Sequence, residues 1–586
     1  MTASPIRHFR RARPRFRAFA ADAAAALAAL AVLAASVVGQ SRPVLDAELR
    51  QAFGPASWGD AEWGALVVSL DTGDTLFAIE PDEPLTPASN AKLLTTAAAL
   101  HVLGPEYRFR TWIMADGEIE NGILRGDLVV YGTGDPGISD RYYGQKDEVF
   151  QRLIDQLEDA GIRRVSGDLV ADASFFPGPL RDPSWEARDL NEHFTAGVSA
   201  LSYNENVVSF RIQAAEEGAP PLVETVPAHS ALDVVNTAEM TSGRARPRLA
   251  ILRDDPLEPV RVEGRMVTGT RDVWRQMTVA VPADFVAASF RASLEERGIQ
   301  IDGRNRSVSE ERDSPIDRLG APGLGRTSPR VVATHLSRPL VEYLEVVNKE
   351  SNNLFAELVF RAIGRVVEGD GTPEASSRAV RRTLAEIGVD TTGLVQIDGS
   401  GLAAGNLVSA GTLVDVVRRM SEGPLWAEFW STLPRAGTRR ELGRMYRTPA
   451  AGNLRAKTGT IDGVSSLSGM VRSEDGERLA FSLIVNDSPS QNRAKNLENR
   501  IGARLASFRR PAGTAPDVSE SNPSPSRATA FEDRHRIARG ESLSGIALRY
   551  GVSVDAILRV NPRVDANRIR AGEWLELPRD PGGSER

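Results

Sequence analysis

The chain of 586 residues contains no cysteine. That excludes disulfides, a lipid-bearing cysteine, a thiol nucleophile and thiolate metal sites. Histidine is nearly as scarce: His8, His101, His193, His229, His335 and His535 are scattered along the chain. Such spacing predicts neither a zinc cluster nor a histidine-based triad, and His101 reads as structural. No G-x-S-x-G elbow, H-E-x-x-H pair or G-x-x-x-x-G-K-[ST] loop occurs. Lysine is the third shortage. Only five of the 71 basic residues are Lys: Lys92, Lys146, Lys349, Lys457 and Lys495. An arginine stays protonated, whereas a lysine ammonium can lose its proton when desolvated or set beside another cation. Two of the five stand in Ser89-Asn90-Ala91-Lys92 and Lys457-Thr458-Gly459. A neutral lysine one helical turn from a serine can take the hydroxyl proton and make a nucleophile. Lysines placed there, in a chain that otherwise writes Arg, point to serine acyl-transfer chemistry.

Negative charge dominates the body. The whole chain carries −7, and residues 1–39 hold six Arg and one Asp, which leaves −12 on the rest. An acidic body of this size argues against a nucleic-acid partner, which would call for a basic face. Hydrophobic (41%) and charged (25%) content are those of a folded soluble protein, and the length asks for several domains. The N-terminus reads as an export signal. Arg7, Arg10, Arg11, Arg13, Arg15 and Arg17 form a positive region, and Ala23 to Val38 is an unbroken run of small and apolar residues. Cleavage after Gly39 is expected. The alternative is an uncleaved anchor that tethers the body to the membrane, although sixteen apolar residues fall just short of a span. In either case the body is expected outside the cytoplasm, in the periplasm or cell envelope.

Local patterns place the motifs. Residues 64–70 and 75–79 read as a hairpin around Asp71-Thr72-Gly73-Asp74. A helix follows, with Thr86 suited to the N-cap, Pro87 to the first helical position and Gly104-Pro105 to the stop. Ser89 and Lys92 then share one helical face by their i, i+3 spacing. From about residue 110 to 325, Gly, Pro and short β-type runs predominate, among them 126–131, 167–172, 207–213 and 277–281. The tract reads as β-rich domains inserted into the first, with polar residues 307–330 as the return connection. Helical periodicity resumes at 340–347 and 353–367. A run opens at Lys457 and continues through Val471, then turns at Asp475-Gly476-Glu477 into the apolar strand 479–485. Pro511 to Ala530 is a linker by composition.

Order strengthens the motifs. Ser-x-x-Lys opens a helix, Ser351-Asn352-Asn353 opens a second helical stretch, and Lys457-Thr458-Gly459 lies on a strand, which is the trio of penicillin-recognising serine enzymes. The middle motif reads Ser-Asn-Asn rather than Ser-Asp-Asn. The change is expected to matter little, because only the first and third side chains are expected in the site. With Asp398-Gly399-Ser400-Gly401-Leu402, Asn406, Val408, Ser409, Gly134-Asp135-Pro136 and Leu201-Ser202-Tyr203-Asn204, residues 45–508 resemble the class C low-molecular-mass penicillin-binding proteins. These are D-alanyl-D-alanine carboxypeptidases and endopeptidases. The 262 residues between Ser89 and Ser351 match the inserted domains of that family. The chain departs from it at Ala403-Ala404, where relatives often carry a polar or basic pair.

The resemblance implies an α+β fold, a penicillin-binding/β-lactamase-like antiparallel sheet with helices on its faces. It implies Ser89 as nucleophile, Lys92 as its base kept neutral in part by a cationic Lys457, and Ser351 as proton relay to the leaving D-Ala. Asn353 would hold the substrate amide, and Lys457, Thr458, Gly459 and Thr460 the terminal carboxylate and oxyanion, with the N–H groups of Ser89 and Thr460 as oxyanion donors. Asp172 is a candidate for meeting a cationic stem end, though a strand-end surface carboxylate is the more expected role. No cofactor or metal is expected. With Arg539-Gly540-Glu541-Ser542-Leu543-Ser544-Gly545-Ile546-Ala547, Tyr550-Gly551-Val552-Ser553, Asn561-Pro562, Asn567, Ile569 and Gly572 to Leu577, residues 535–578 resemble a LysM module of strand–helix–helix–strand order, which implies binding of N-acetylglucosamine-containing glycans.

The expected organisation is a signal or anchor over 1–39, a peptidase domain in two pieces over 40–110 and 331–508, inserted β-rich domains over 111–330, a linker over 509–530 and the LysM module over 531–579. The expected partners are peptidoglycan stem peptides, glycan strands and β-lactams. A β-lactamase or esterase of the same superfamily, and an inactive wall-binding scaffold, are the alternatives. The sequence leaves the balance of carboxypeptidase and endopeptidase activity open.

Overall fold

The computed structural model describes residues 42–54, 58–230, 232–243, 246–255, 258–316 and 329–510, with 534–537, 557–558, 560–561, 564 and 574–577 near the C-terminus. The expected signal, the linker 511–530 and most of the two expected LysM helices lie outside the described residues.

A five-stranded antiparallel sheet organises the body. Its order is Arg455–Ile461, Val464–Arg472, Arg478–Asn486, Glu62–Ser69 and Thr75–Ile79. The two ends of the body's sequence meet there, with Val67 opposite Phe481. Strands Val464–Arg472 and Arg478–Asn486 are buried on both faces almost throughout. This is why Arg478–Asn486 reads as a nearly continuous apolar run rather than an alternation, while Val464–Arg472 buries the small residues Ser465, Ser466, Ser468 and Gly469. Val471, Leu479, Phe481 and Leu483 pack on one face with helices Arg42–Phe53 and Gln491–Ala506. Met470 and Ala480 pack on the other with Val414 and Val417 of helix Ala410–Glu422.

The helical layer is centred on Ala91–Val102, buried from Ala91 to Leu100. Around it lie Leu340–Lys349, Asn353–Glu368 and Pro373–Glu386. Their starts are written locally. Asn352 and Ser409 accept hydrogen bonds from the Phe355 and Thr412 N–H groups, and Thr372 precedes Pro373 at the first helical position. The Ser89 helix begins differently from expectation. Thr86 is not its cap: Asn486 accepts from Thr86 N at 2.9 Å and donates to Thr86 O at 3.0 Å. Ala88–Asn90 forms a 3-10 turn and the α-helix starts only at Ala91. A long-range clamp has outweighed a local cap preference. The run from Lys457 also divides, turning at Asp462-Gly463 with Gly463 at φ 74°.

Between Arg110 and Leu336 the chain builds a seven-stranded sheet. Arg110–Glu120, Ile123–Gly132 and Arg330–Leu336 are antiparallel in it, and four short strands join in parallel. Arg330–Leu336, expected at the edge of the returning peptidase segment, therefore belongs to this sheet. Beyond it lie a three-stranded sheet containing Val207–Gln213 and a four-stranded sheet within 234–267. The tract also holds two unexpected helices, Glu148–Asp159 and Pro282–Glu296. The first buries Val149, Phe150, Leu153, Ile154 and Leu157, a helical stripe overshadowed by the surrounding Gly and Pro. Near the C-terminus Arg534–Arg536 pairs antiparallel with Trp574–Glu576, and Asn561 bridges to both backbone groups of Glu576 at 2.7 and 2.9 Å.

Candidate active site

Ser89, Lys92, Ser351, Asn353 and Lys457 converge in one cleft from two helices, a loop and an edge strand. The Ser89 turn is set by its neighbours. Ala88 sits at φ 48°. Gly401 of the Asp-Gly-Ser-Gly-Leu segment, at φ 79°, lies so close that a Cβ there would be 1.9 Å from the Ala88 carbonyl oxygen. Gly459 closes the opposite side: its Cβ would be 2.5 Å from the Pro87 carbonyl oxygen and 2.2 Å from Ser466 Oγ. Ser466 Oγ donates to Pro87 O at 2.7 Å. Asn90, with its amide nitrogen toward the strand, donates to Lys457 O at 2.8 Å and accepts from Ser468 Oγ at 2.7 Å. The helix and strand walls are thus locked to each other through the residues around Ser89.

Lys92 Nζ has three partners: Ser89 Oγ at 3.0 Å, Asn353 Oδ1 at 2.8 Å and Ser400 O at 2.6 Å. Asn353 Nδ2 donates to Phe194 O at 2.9 Å, which fixes the amide with its oxygen toward Lys92. A neutral amine has two N–H bonds and one lone pair. Two of its neighbours can only accept, so they take both hydrogens and leave the lone pair for the Ser89 hydroxyl.

Burial favours that neutral form. Lys92 is fully buried, and desolvation brings it down to about 7 against the upward pull of Asp398 and Glu357. The expectation that Lys457 keeps Lys92 neutral is therefore replaced by desolvation. Lys457 is itself fully buried, and burial and then Lys92 hold it well below the ordinary lysine range. Its contacts are Ser351 Oγ at 2.9 Å and the Thr458 carbonyl at 2.8 Å. The downward direction holds for both lysines, and the nearby carboxylates distinguish them.

Asp398 was read from sequence only as part of the Asp-Gly-Ser-Gly-Leu segment, and Glu357 was not singled out. Glu357 accepts from Gly399 N and Ser400 N, and burial with Asp398 nearby raises it to about 7. Asp398 accepts from Gly401 N, Ala403 N, Asn406 Nδ2 and Trp185 Nε1. A glutamate on the apolar face of Asn-Leu-Phe-Ala-Glu-Leu-Val-Phe, one turn after Asn353, was the available signal. Asn352, whose replacement of the usual Asp was expected to matter little, is tied on both sides. Its Oδ1 caps the following helix and its Nδ2 donates to Glu205 Oε2 at 2.9 Å. Asp172 is not the surface carboxylate expected: it is fully buried, accepting from Ser314 Oγ at 2.6 Å and Ser174 N at 3.0 Å. Asp135 of Gly-Asp-Pro ties the inserted region to the body by accepting from Tyr343 Oη at 2.8 Å.

Thr458 is half-buried, Gly459 buried and Thr460 exposed on Arg455–Ile461. This strand is the sheet's edge, so an extended peptide can lie along it as an added strand. Beside Ser351 and Asn353 opens a cavity of about 370 Å³, walled by Arg141, Glu205, Phe194 and Glu350.

Residues 45–508 match the D-Ala-D-Ala carboxypeptidase 3 (S13) family, and residues 535–578 match the LysM domain. A D-alanyl-D-alanine carboxypeptidase from an Actinomadura species is 34% identical over 464 residues, covering 76% of this chain and 81% of that protein. The D-alanyl-D-alanine carboxypeptidase DacB of Haemophilus influenzae is 26% identical over 405 residues, 68% of this chain and 80% of the relative. The crystal structure of penicillin binding protein 4 from Haemophilus influenzae superposes with a TM-score of 0.66 at 23% identity, over 79% of this chain and 99% of that one. It shares the fold.

Proposed function

The chain belongs to the D-Ala-D-Ala carboxypeptidase 3 (S13) family, and on that footing we propose Ser89 as the nucleophile of a penicillin-binding, serine-type D-alanyl-D-alanine carboxypeptidase acting on peptidoglycan. The observation that carries the assignment is the lone pair of Lys92 directed at Ser89 Oγ by two fixed acceptors, Asn353 Oδ1 and Ser400 O. Lys92 takes the hydroxyl proton as Ser89 Oγ bonds to the carbonyl carbon of the penultimate D-Ala. The N–H groups of Ser89 and Thr460 hold the oxyanion, a role commonly contributing about 3 kcal/mol per donor. The proton held by Lys92 is relayed through Ser351 to the leaving D-Ala nitrogen as the peptide bond breaks, which returns Lys92 to its neutral form. Water then attacks the acyl-enzyme, with Lys92 again as base, and releases the shortened stem.

Lys457, Thr458 and Gly459 form the carboxylate end of the site, and Asn353 steadies the substrate amide. The terminal carboxylate supplies the counter-charge that Lys457 lacks in the free protein, so substrate arrival charges it. The LysM module binds glycan strands. The N-terminal arginines and apolar run export the chain to the cell envelope, with cleavage after Gly39. Among the described residues no helix is long and apolar enough to cross a membrane.

The test is acylation by a fluorescent penicillin, with the adduct mapped by mass spectrometry. Label on Ser89, together with release of D-Ala from a D-Ala-D-Ala peptide, is the expected outcome. Label on another residue, or none on the folded protein, overturns the assignment.

A further inference from the structure

The three residues flanking Ser351 are each held by the inserted region. Glu350 pairs with Arg141 at 2.8 Å. Asn352 Nδ2 donates to Glu205 Oε2, and Asn353 Nδ2 donates to Phe194 O, both at 2.9 Å. Arg141 joins two of these ties, since it also pairs with Glu205 at 2.7 Å and lies over the Phe355 ring. Ser351 itself sits at φ 59°. A non-glycine residue in the left-handed region is held there by its surroundings.

The segment that presents Glu205 is strained as well. Asn204, Glu205 and Asn206 lie at φ 48°, 54° and 57° in succession. Buried amides hold this arrangement. Asn206 Nδ2 donates to Gly197 O and Ser202 Oγ, Asn206 Oδ1 accepts from Tyr203 N, and Asn204 Nδ2 donates to Val207 O. The chain therefore maintains three consecutive left-handed residues whose central side chain meets the middle of Ser-Asn-Asn. Such concentration of strain at a site edge signals a positional demand.

We propose that Glu205 is a positioning residue for Ser351, acting through Asn352. This rests on the relay role given to Ser351 above. Asn352 does two tasks at once: its oxygen caps helix Asn353–Glu368 and its nitrogen binds Glu205. Aspartate at 352 keeps the cap but sets a carboxylate against the Glu205 carboxylate. The Asn in this motif and the glutamate in the insert are a matched pair. The inserted region is then part of the active site without supplying a reacting group.

A proton relay matters when the leaving group is a poor one. An amine must be protonated to leave, whereas a thiolate departs unprotonated. The test compares an amide substrate, a D-Ala-D-Ala peptide, with its thioester analogue at saturating concentration, on the full chain. Ser351→Ala is the reference and should lose about a hundredfold on the amide and far less on the thioester. Glu205→Ala should lose about tenfold on the amide with the thioester nearly unchanged. Asn352→Asp should behave likewise, and the double variant Asn352→Asp with Glu205→Gln should recover, because a glutamine amide can donate to the new carboxylate.

Thermal unfolding midpoints identify any variant that loses its fold, and the near-isosteric Asn352→Asp pair keeps the test usable if Glu205→Ala does. If Ser351→Ala shows no amide-selective loss, the relay reading of the site fails. If Ser351→Ala shows it while Glu205→Ala and Asn352→Asp lose nothing, or lose amide and thioester equally, the positioning role fails and the relay stands.

Discussion

The two walls of the cleft hold their lysines on opposite terms. On the helical wall, Lys92 is ringed by Ser89 Oγ, Asn353 Oδ1 and Ser400 O, with Asp398 and Glu357 acting on it from behind. On the strand wall, Lys457 has Ser351 Oγ and its neighbour's carbonyl, and among the described residues no carboxylate is a cause of its shift. Both are fully buried. Burial alone would strip the proton from each, so the difference lies in the second layer of groups. The helical wall keeps Lys92 near neutrality, where an amine can accept a proton and return it. The strand wall leaves Lys457 short of a counter-charge, which a substrate carboxylate provides. In the proposed mechanism one wall serves proton transfer and the other recognition.

The largest expected effect breaks the comparison directly. In Lys92→Arg the side chain cannot lose its proton near neutral pH, and acylation should fall by a hundredfold or more, on the order expected for a missing proton acceptor. Lys457→Arg keeps a charge for the carboxylate, and should retain measurable acylation with weakened binding, roughly tenfold in kcat/KM. Penicillin acylation rates, with thermal unfolding as a fold check, decide the matter. Wild-type acylation by a folded Lys92→Arg protein removes Lys92 from the mechanism.

The close approach of the Asp-Gly-Ser-Gly-Leu segment to the Ser89 turn gives the next effect. Gly401→Ala forces a Cβ onto the Ala88 carbonyl and places alanine at φ 79°. The variant should lose several degrees of thermal stability, corresponding to about 3 kcal/mol or more, and should acylate slowly. Gly452→Ala, at φ 75° with no atom within 4 Å of the added Cβ, should cost about 1 kcal/mol and leave acylation unaltered. Equal losses in the two variants would show that the close approach to Ala88 has no consequence.

Glu357→Gln sharpens the electrostatic difference. Neutral Lys92 is the competent form, so acylation in the wild type should rise as pH increases through about 7. Glu357 pulls Lys92 upward. Removing that charge lowers Lys92 further, and the rise should move toward acid by roughly one pH unit or less. A shift toward alkali in a pH–rate profile contradicts the sign. The smallest effect concerns neither wall: a chain ending at Arg510 should cleave a soluble D-Ala-D-Ala peptide within about twofold of the full chain. It should sediment less with insoluble peptidoglycan, because tethering raises local concentration only. Equal sedimentation of both forms refutes the tethering role.

Contiguous features were legible. The hairpin at residues 62–79, the helices near 340 and 353 and the strand Val207–Gln213 follow from period, turn residues and caps written within a few positions. The Ser89 turn was less legible, because Asn486, distant in sequence, holds Thr86. Helix Glu148–Asp159 was obscured by glycine-rich flanks although its apolar stripe is clear. Glu357, Glu205 and Arg141 were missed as site neighbours for one physical reason. Each acts through a hydrogen bond or field across a tertiary contact, and only Glu357 leaves a local trace, a carboxylate on an apolar helix face.

The sequence by itself determined which residue types meet which motif: a serine and lysine one turn apart, a second serine before an asparagine, a third motif on a strand. Each needs only a few neighbouring residues to be recognised. Tertiary structure alone decided the proton state of Lys92, because its acceptors Asn353 and Ser400 lie 261 and 308 positions away. It also decided that an inserted region would grip Asn352 from 147 positions away. Ionisation and orientation depend on what folding brings within a few ångströms in a space without water, and that is a property of the packed molecule.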